Sequence, residues 1–276
     1  MLLPSIAVGE EIHLRFWQWF SYSTYDAGYV QISVWNPGTS TWSAWSNISE
    51  GVNNSSSIWS LADVDLTRYA GNAVRLAFYH AADRNVYGDS SESTGWYIDD
   101  IEINLTLPKF SGDFECGWIS WGVSNGVWQI GSPTAGAPYA YSGSYCAGTV
   151  LNGNYPAYTS SRLISSTFTV PEDGNMQMTF YHWYSYSSYD SGYVQISLLD
   201  ESSGLWSSWA NIAGPYQGVS GLWTLAPSID LSSYAGRYAR IAFLHTANRN
   251  VYGDASESTG WYIDHVRITG YKGLCE

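Results

Sequence analysis

Short runs of apolar residues recur along the chain, interrupted at close intervals by Gly, Asn, Asp or Ser. Residues 12–20, 29–35, 74–80 and 96–103 are rich in aromatic and β-branched side chains, which predicts strands. The same signal returns at 176–184, 193–199, 239–245 and 261–268. No window sustains the i, i+3, i+4 spacing of an amphipathic helix. In 29–35 the alternation points Val30 and Ile32 to a core and Tyr29 and Gln31 outward. In Phe16-Trp17-Gln18-Trp19-Phe20 and in Phe180-Tyr181-His182-Trp183-Tyr184 both faces are aromatic. One face must be core; the other is either covered by loops or left as an exposed aromatic row.

These two sets of strands belong to a duplication. Residues 16–101 return at 180–266, first offset by 164 and then, after a one-residue insertion, by 165. The stretches 84–99 and 249–264 differ only at Ser90 against Ala255. A repeat this long implies two tandem antiparallel β-sandwich domains of jelly-roll type, over 1–107 and 108–276. The copies are unequal: residues 113–166 precede the shared part of the second, and nothing comparable opens the first. The first domain is therefore expected to lack its N-terminal strands. Either the chain is a fragment of a longer gene, or its open sheet edge is covered by the other repeat or by a strand donated from another molecule, which makes a homo-oligomer an expectation.

Composition narrows the function. The chain has 276 residues, 15 Trp, 23 Tyr, 27 Gly and a net charge of −13. An acidic chain without a basic run excludes nucleic acid as a partner. No apolar stretch approaches the roughly 20 residues of a membrane helix. Met1–Pro4 is too short for a secretory signal. Scarce lysine and abundant Tyr, Trp, Ser and Gly suit a secreted or cell-surface β-protein. Three cysteines allow one disulfide, with Cys116–Cys146 the favoured pair because both lie early in the second domain.

The order Asp113-Phe114-Glu115-Cys116-Gly117-Trp118, Gly143-Ser144-Tyr145, the strand 178–183, Ile229-Asp230-Leu231 with Tyr234-Ala235-Gly236, and Gly260-Trp261-Tyr262-Ile263-Asp264 forms a recurring pattern. It resembles the MAM-like jelly rolls of secreted bacterial proteins. These include cleaved-adhesin domains and the sandwiches appended to immune-inhibitor-A-type metalloproteases. It is more distantly similar to jelly-roll carbohydrate-binding modules. The resemblance implies adhesion or glycan binding, and a structural calcium ion held by Glu115 and Asp264 with Asp113 nearby. Asp99 is the first-repeat counterpart, without an early Phe-Glu beside it.

Two duplicated loops carry the candidate chemistry. One holds Tyr22, Tyr25 and Asp26, matched by Tyr186, Tyr189 and Asp190. The other holds Arg84 and Tyr87, matched by Arg249 and Tyr252. With Trp19 and Trp183 they offer aromatic faces for sugar CH groups and planar polar groups for hydroxyls. The leading expectation is non-catalytic binding of a polysaccharide or cell-surface glycan, with a two-site gain on a polymer. A self-assembling adhesive subunit is the first alternative. A glycoside hydrolase using carboxylates among Asp26, Asp89, Glu92 and their copies is the second. No His-Glu-x-x-His zinc motif or phosphate loop is present.

Overall fold

A computed structural model describes residues 1–23, 25–82, 93–106, 110–172, 176–248 and 257–268. The chain forms two compact units, Met1–Leu107 with Ser124–Gly126 and Pro108–Val123 with Val127–Glu276. Among the described residues every regular element is a strand or a short 3-10 turn. Arg84, Tyr87, Asp89, Glu92, Arg249 and Tyr252 lie outside the described residues.

The first unit contains β1 (Glu11–Ser21), β2 (Ala27–Asn36), β3 (Thr41–Trp42), β4 (Ser46–Asn47), β5 (Ser60–Asp65), β6 (Val74–Ala81) and β7 (Gly95–Thr106). One sheet runs β5-β1-β7; the other runs β3-β2-β4, with β6 also on β2. Strict alternation along β1 buries Ile12, Leu14, Phe16, Gln18 and Phe20. Ile12, Leu14 and Phe16 pack with Val30, Ile32 and Val74 from the facing sheet. This is the period-2 pattern of a half-buried antiparallel sheet.

The second unit contains β8 (Trp121–Ser124), β9 (Trp128–Gly131), β10 (Cys146–Thr149), β11 (Ser160–Ser165), β12 (Phe168–Thr169), β13 (Gln177–Ser185), β14 (Ser191–Asp200), β15 (Leu205–Trp206), β16 (Ala210–Tyr216), β17 (Thr224–Leu225), β18 (Ile229–Asp230), β19 (Tyr238–Thr246) and β20 (Gly260–Ile268). One sheet runs β15-β14-β19-β11-β8, with β16 on β14 and β12 on β19. The other runs β17-β13-β20-β10-β9, with β18 on β13. Phe180, Phe243 and Trp261 meet edge-to-face between them.

The duplication extends to irregularities. β7 carries one extra residue opposite Arg15–Trp17, and β20 carries one opposite Thr179–Tyr181. Each bulge places a non-glycine residue at positive φ, Asp100 at 48° and His265 at 51°. Gly28 and Gly192 are also matched: a Cβ on either would lie 2.5 Å from the indole of Trp96 or Trp261. Glycine is required there because the tryptophan lies flat on the strand.

The structure corrects the disulfide. Cys116 is disulfide-bonded, but Cys146 is a free thiol buried in β10. Burial, then the charges of Asp264 and Glu115, push that thiol far above the ordinary cysteine range. It is packed as a small apolar residue beside Tyr262 and Trp183, so proximity in sequence misled the pairing.

Candidate functional site

The duplicated loop that holds Tyr22 and Asp26, and its copy with Tyr186 and Asp190, turn inward more than their composition suggests. Tyr22 stacks on His80 (5.5 Å between ring centres) and Tyr186 on His245 (5.6 Å). Both tyrosines are buried, as are Asp26 and Asp190. Asp190 accepts hydrogen bonds from the Tyr155 hydroxyl (2.8 Å) and the Asn248 backbone N–H (2.7 Å); that hydroxyl in turn accepts from Ser187 N–H (2.9 Å). Burial, then Tyr155 and Asp190, hold the Tyr186 phenol well above its usual range. These side chains satisfy one another inside the sandwich. Four of the expected contact residues therefore sit in the interior. Tyr25 and Tyr189 remain as outward tips, 77% and 75% exposed, at φ 74° and 71°.

The double-aromatic strands divide by unit. In the second, residues 137–145 lie over β13: Tyr141 stacks on Tyr181 at 3.6 Å, and Ala137 and Ala140 pack with Trp183 and Tyr262. Trp183 is thus buried, which corrects the expectation of an exposed platform there. In the first unit Trp19 makes the matching edge contact with Tyr97 (5.6 Å against 5.4 Å for Trp183–Tyr262). Here Tyr97 is 50% exposed, whereas Tyr262 is fully buried.

The constellation best fitted to a polar ligand lies on the outward face of β14, β19 and β11. Arg162 Nε donates to Gln195 Oε1 (2.7 Å), and Gln195 Nε2 donates to Asn211 Oδ1 (2.7 Å). Arg240 lies over Trp206 (3.8 Å) and, farther off, Trp209 (5.6 Å); Arg162 also faces Trp209 (5.7 Å). Asn211 also opens onto an adjoining groove of about 630 Å³ bounded by Gly214, Tyr216, Asp230 and Tyr234. The first unit repeats the strip. Gln31 Nε2 donates to Asn47 Oδ1 (2.9 Å), Arg75 covers Trp42 (3.9 Å), and Trp45 is exposed. Only Arg162 has no counterpart. None of these residues was singled out from the sequence except the outward Gln31. The signal was there: Tyr-Val-Gln-Ile-Ser is identical at 29–33 and 193–197, and its members facing away from the core are the tyrosine and the glutamine, the latter covered in the second unit (Gln195, 6% exposed).

Of the expected calcium ligands, Glu115 and Asp264 come to one loop. Glu115 Oε1 accepts from Ser144 N (2.9 Å) and Tyr145 N (2.8 Å), and Asp264 Oδ2 accepts from Ser142 N (2.9 Å). A Cβ on Gly143 would meet the Glu115 carboxyl at 2.5 Å, so glycine lets the loop close on it. Asp264 is fully buried; desolvation raises its pKa to about 7, backbone N–H donors oppose the shift, and the Glu115 charge adds to it. Glu115 and Asp264 are the side chains that would hold a divalent cation here, since a hard ion takes carboxylate oxygens. Asp113 instead accepts from Ser111 (3.0 Å), and Asp99 is exposed. Among the described residues no three His, Cys, Asp or Glu side chains converge.

With this geometry in view, sequence comparison is informative. Over 188 residues the chain is 33% identical to Bacillopeptidase F of Bacillus subtilis (strain 168), an alignment covering 66% of this chain and 12% of that protein. The chain is homologous to part of Bacillopeptidase F. No family model matches it. Among solved structures it is similar to the CBM22-1–CBM22-2 tandem domain of Paenibacillus barcinonensis Xyn10C (TM-score 0.35, 14% identity, 96% of this chain and 79% of that one). It is also similar to the K1 cleaved adhesin domain of Lys-gingipain from Porphyromonas gingivalis W83 (TM-score 0.31, 17% identity, 55% and 91%). The resemblance drawn from the sequence agrees with the likeness to Bacillopeptidase F. Among the described residues no helix is long and apolar enough to cross a membrane.

Proposed function

We propose that the chain is a non-catalytic carbohydrate-binding or adhesion module acting outside the cell. The observation that carries this is the strip repeated in both units, in which a Gln–Asn amide pair lies beside indoles backed by arginine. Sugars present alternating CH faces and hydroxyl pairs, which such a strip meets by stacking and by bidentate hydrogen bonding. Two copies on one chain favour a polymer over a small ligand. The disulfide at Cys116 suits an oxidising compartment.

The test is retention on a panel of polysaccharides by affinity electrophoresis, with reducing-end release assayed in the same samples. Retention without release is expected. Trp45→Ala with Trp209→Ala should weaken it at least tenfold, a loss of about 1.4 kcal/mol or more, while leaving the fold intact. Tyr25→Ala with Tyr189→Ala reports separately on the loop tips. Release of sugar would replace this reading with an enzyme, and silence on every polymer would remove it.

The same reading includes a calcium ion held by Glu115 and Asp264. Bound calcium would neutralise the buried Asp264 carboxylate together with the exposed Glu115 beside it, and so would tie residues 141–145 to β20. Chelator is expected to lower the melting temperature of the wild type and leave Glu115→Gln, Asp264→Asn unchanged, following RT ln(1 + [L]/Kd). Identical curves with and without chelator in the wild type would dispose of it.

A further inference from the structure

In the second unit residues 110–166 cover three places that the first unit leaves open. Strand β11 pairs antiparallel with β19, setting Leu163 opposite Phe243 and Ile164 opposite Ala242. Strand β10 pairs with the outer edge of β20. Between them Phe114 and Trp121 close the core end, where Val266 N–H binds Gly112 O (2.7 Å). Val266 is 1% exposed.

The matching places in the first unit are bare among the described residues. Strand β6 pairs only with β2, and β7 only with β1. Ile101, the counterpart of Val266, is 56% exposed, and Phe78, the counterpart of Phe243, is half-buried. Met1–Leu3 already stands where β12 stands in the second unit: Val74 N–H binds Met1 O, and Leu2 bridges Ala73. Alternation from Val74 turns the N–H groups of Leu76, Phe78 and His80 toward the open edge, as Ile241 and Ala247 turn theirs toward Ser165 and Thr159. Bare backbone donors beside apolar side chains are the two halves of a strand-acceptor site.

We propose that the first unit accepts an extended polypeptide segment of the 110–166 type, which adds a strand antiparallel to β6. By the register of β11 on β19, its leucine would sit opposite Phe78 and over the gap at Ile101. Its arginine, opposite Tyr79, would reach Gln31 and complete the amide strip as Arg162 does at Gln195. The occupant is polypeptide because sugar offers no alternating amide ladder, and the repeat itself displays the fit.

The experiment titrates the full chain into a fluorescein-labelled peptide of residues 157–166 and follows anisotropy. Saturable binding is expected. Methylating the nitrogen of the peptide's Leu163, whose N–H faces the acceptor strand, should weaken it at least tenfold without touching the protein. Phe78→Lys in the protein should do the same. Absence of saturation to about 1 mM would overturn the proposal. So would binding that ignores both changes, which would place the peptide elsewhere. Sedimentation of the chain alone supplies the other arm: a concentration-dependent dimer that excludes the peptide would mean two copies pair β6 edges with each other, and this occupant would be wrong.

Discussion

Trp261→Ala is expected to cost the second unit about 3–5 kcal/mol, the range for a fully enclosed large aromatic. Its indole lies flat on Gly192, meets Phe243 at 5.5 Å and Tyr216 at 5.2 Å, and donates from Nε1 toward His182 (3.4 Å). Trp96→Ala removes the matched residue from a half-open environment, where its Nε1 donates to Gln18 (3.2 Å). Part of that ring already faces water, so its loss should cost about half as much or less. The two variants ask the same chemical question in two settings on one chain. Peptide-resolved hydrogen exchange through a urea series separates the units. Equal losses would mean that the first unit is as well closed as the second.

The second large effect concerns pH, and it has opposite signs in the two units. In the first, burial tends to discharge His13, but Asp63, Glu11 and Asp65 outweigh it and raise its pKa from 6.5 to about 10. A raised histidine pKa stabilises the fold fully below about 6.5, and that stability is lost as pH rises toward 10. The slope is on the order of 1.4 kcal/mol per pH unit. In the second, burial lowers His245 to about 3 and His182 to about 4. Their contribution is present above 6.5 and declines as pH falls, because the unfolded chain takes up protons that the fold refuses. Asp264, held near 7, works the other way and cancels about one of the two. Hydrogen exchange should therefore show the first unit loosening between pH 7 and 9.5 and the second between pH 6.5 and 5. His13→Gln should flatten the former and His245→Gln the latter. A single transition moving in one direction throughout would refute the assignment.

The eight long strands were legible because their alternation survives in both copies, down to the outward Gln31 and the buried Val30 and Ile32. The short strands β3, β4, β15, β17 and β18 were not, since two-residue bridges carry no period, and the seven-residue β16 was missed because its register against β14 is broken twice. Near-identity of the loops was visible, but its meaning was not. Tyr22 and Tyr186 read as ligand-facing until their histidine partners, 58 and 59 positions away, are seen beneath the rings. Hydropathy has no symbol for a polar group satisfied inside a core. Trp183 was misread for a different reason: it is covered by residues 137–145, which the other copy lacks.

The tips at Tyr25 and Tyr189 carry one more consequence. A tyrosine in the left-handed region bears about 1 kcal/mol of steric strain that glycine would escape, and the chain places one there twice. At the second tip Asn248 pins the turn through the Tyr189 carbonyl (2.9 Å) and the Asp190 carboxylate. The turns that carry the two rings are consequently held before anything docks, by Asp26 N–H to Ser23 O (3.1 Å) and Asp190 N–H to Ser187 O (3.2 Å). A surface that meets them forfeits little freedom in doing so.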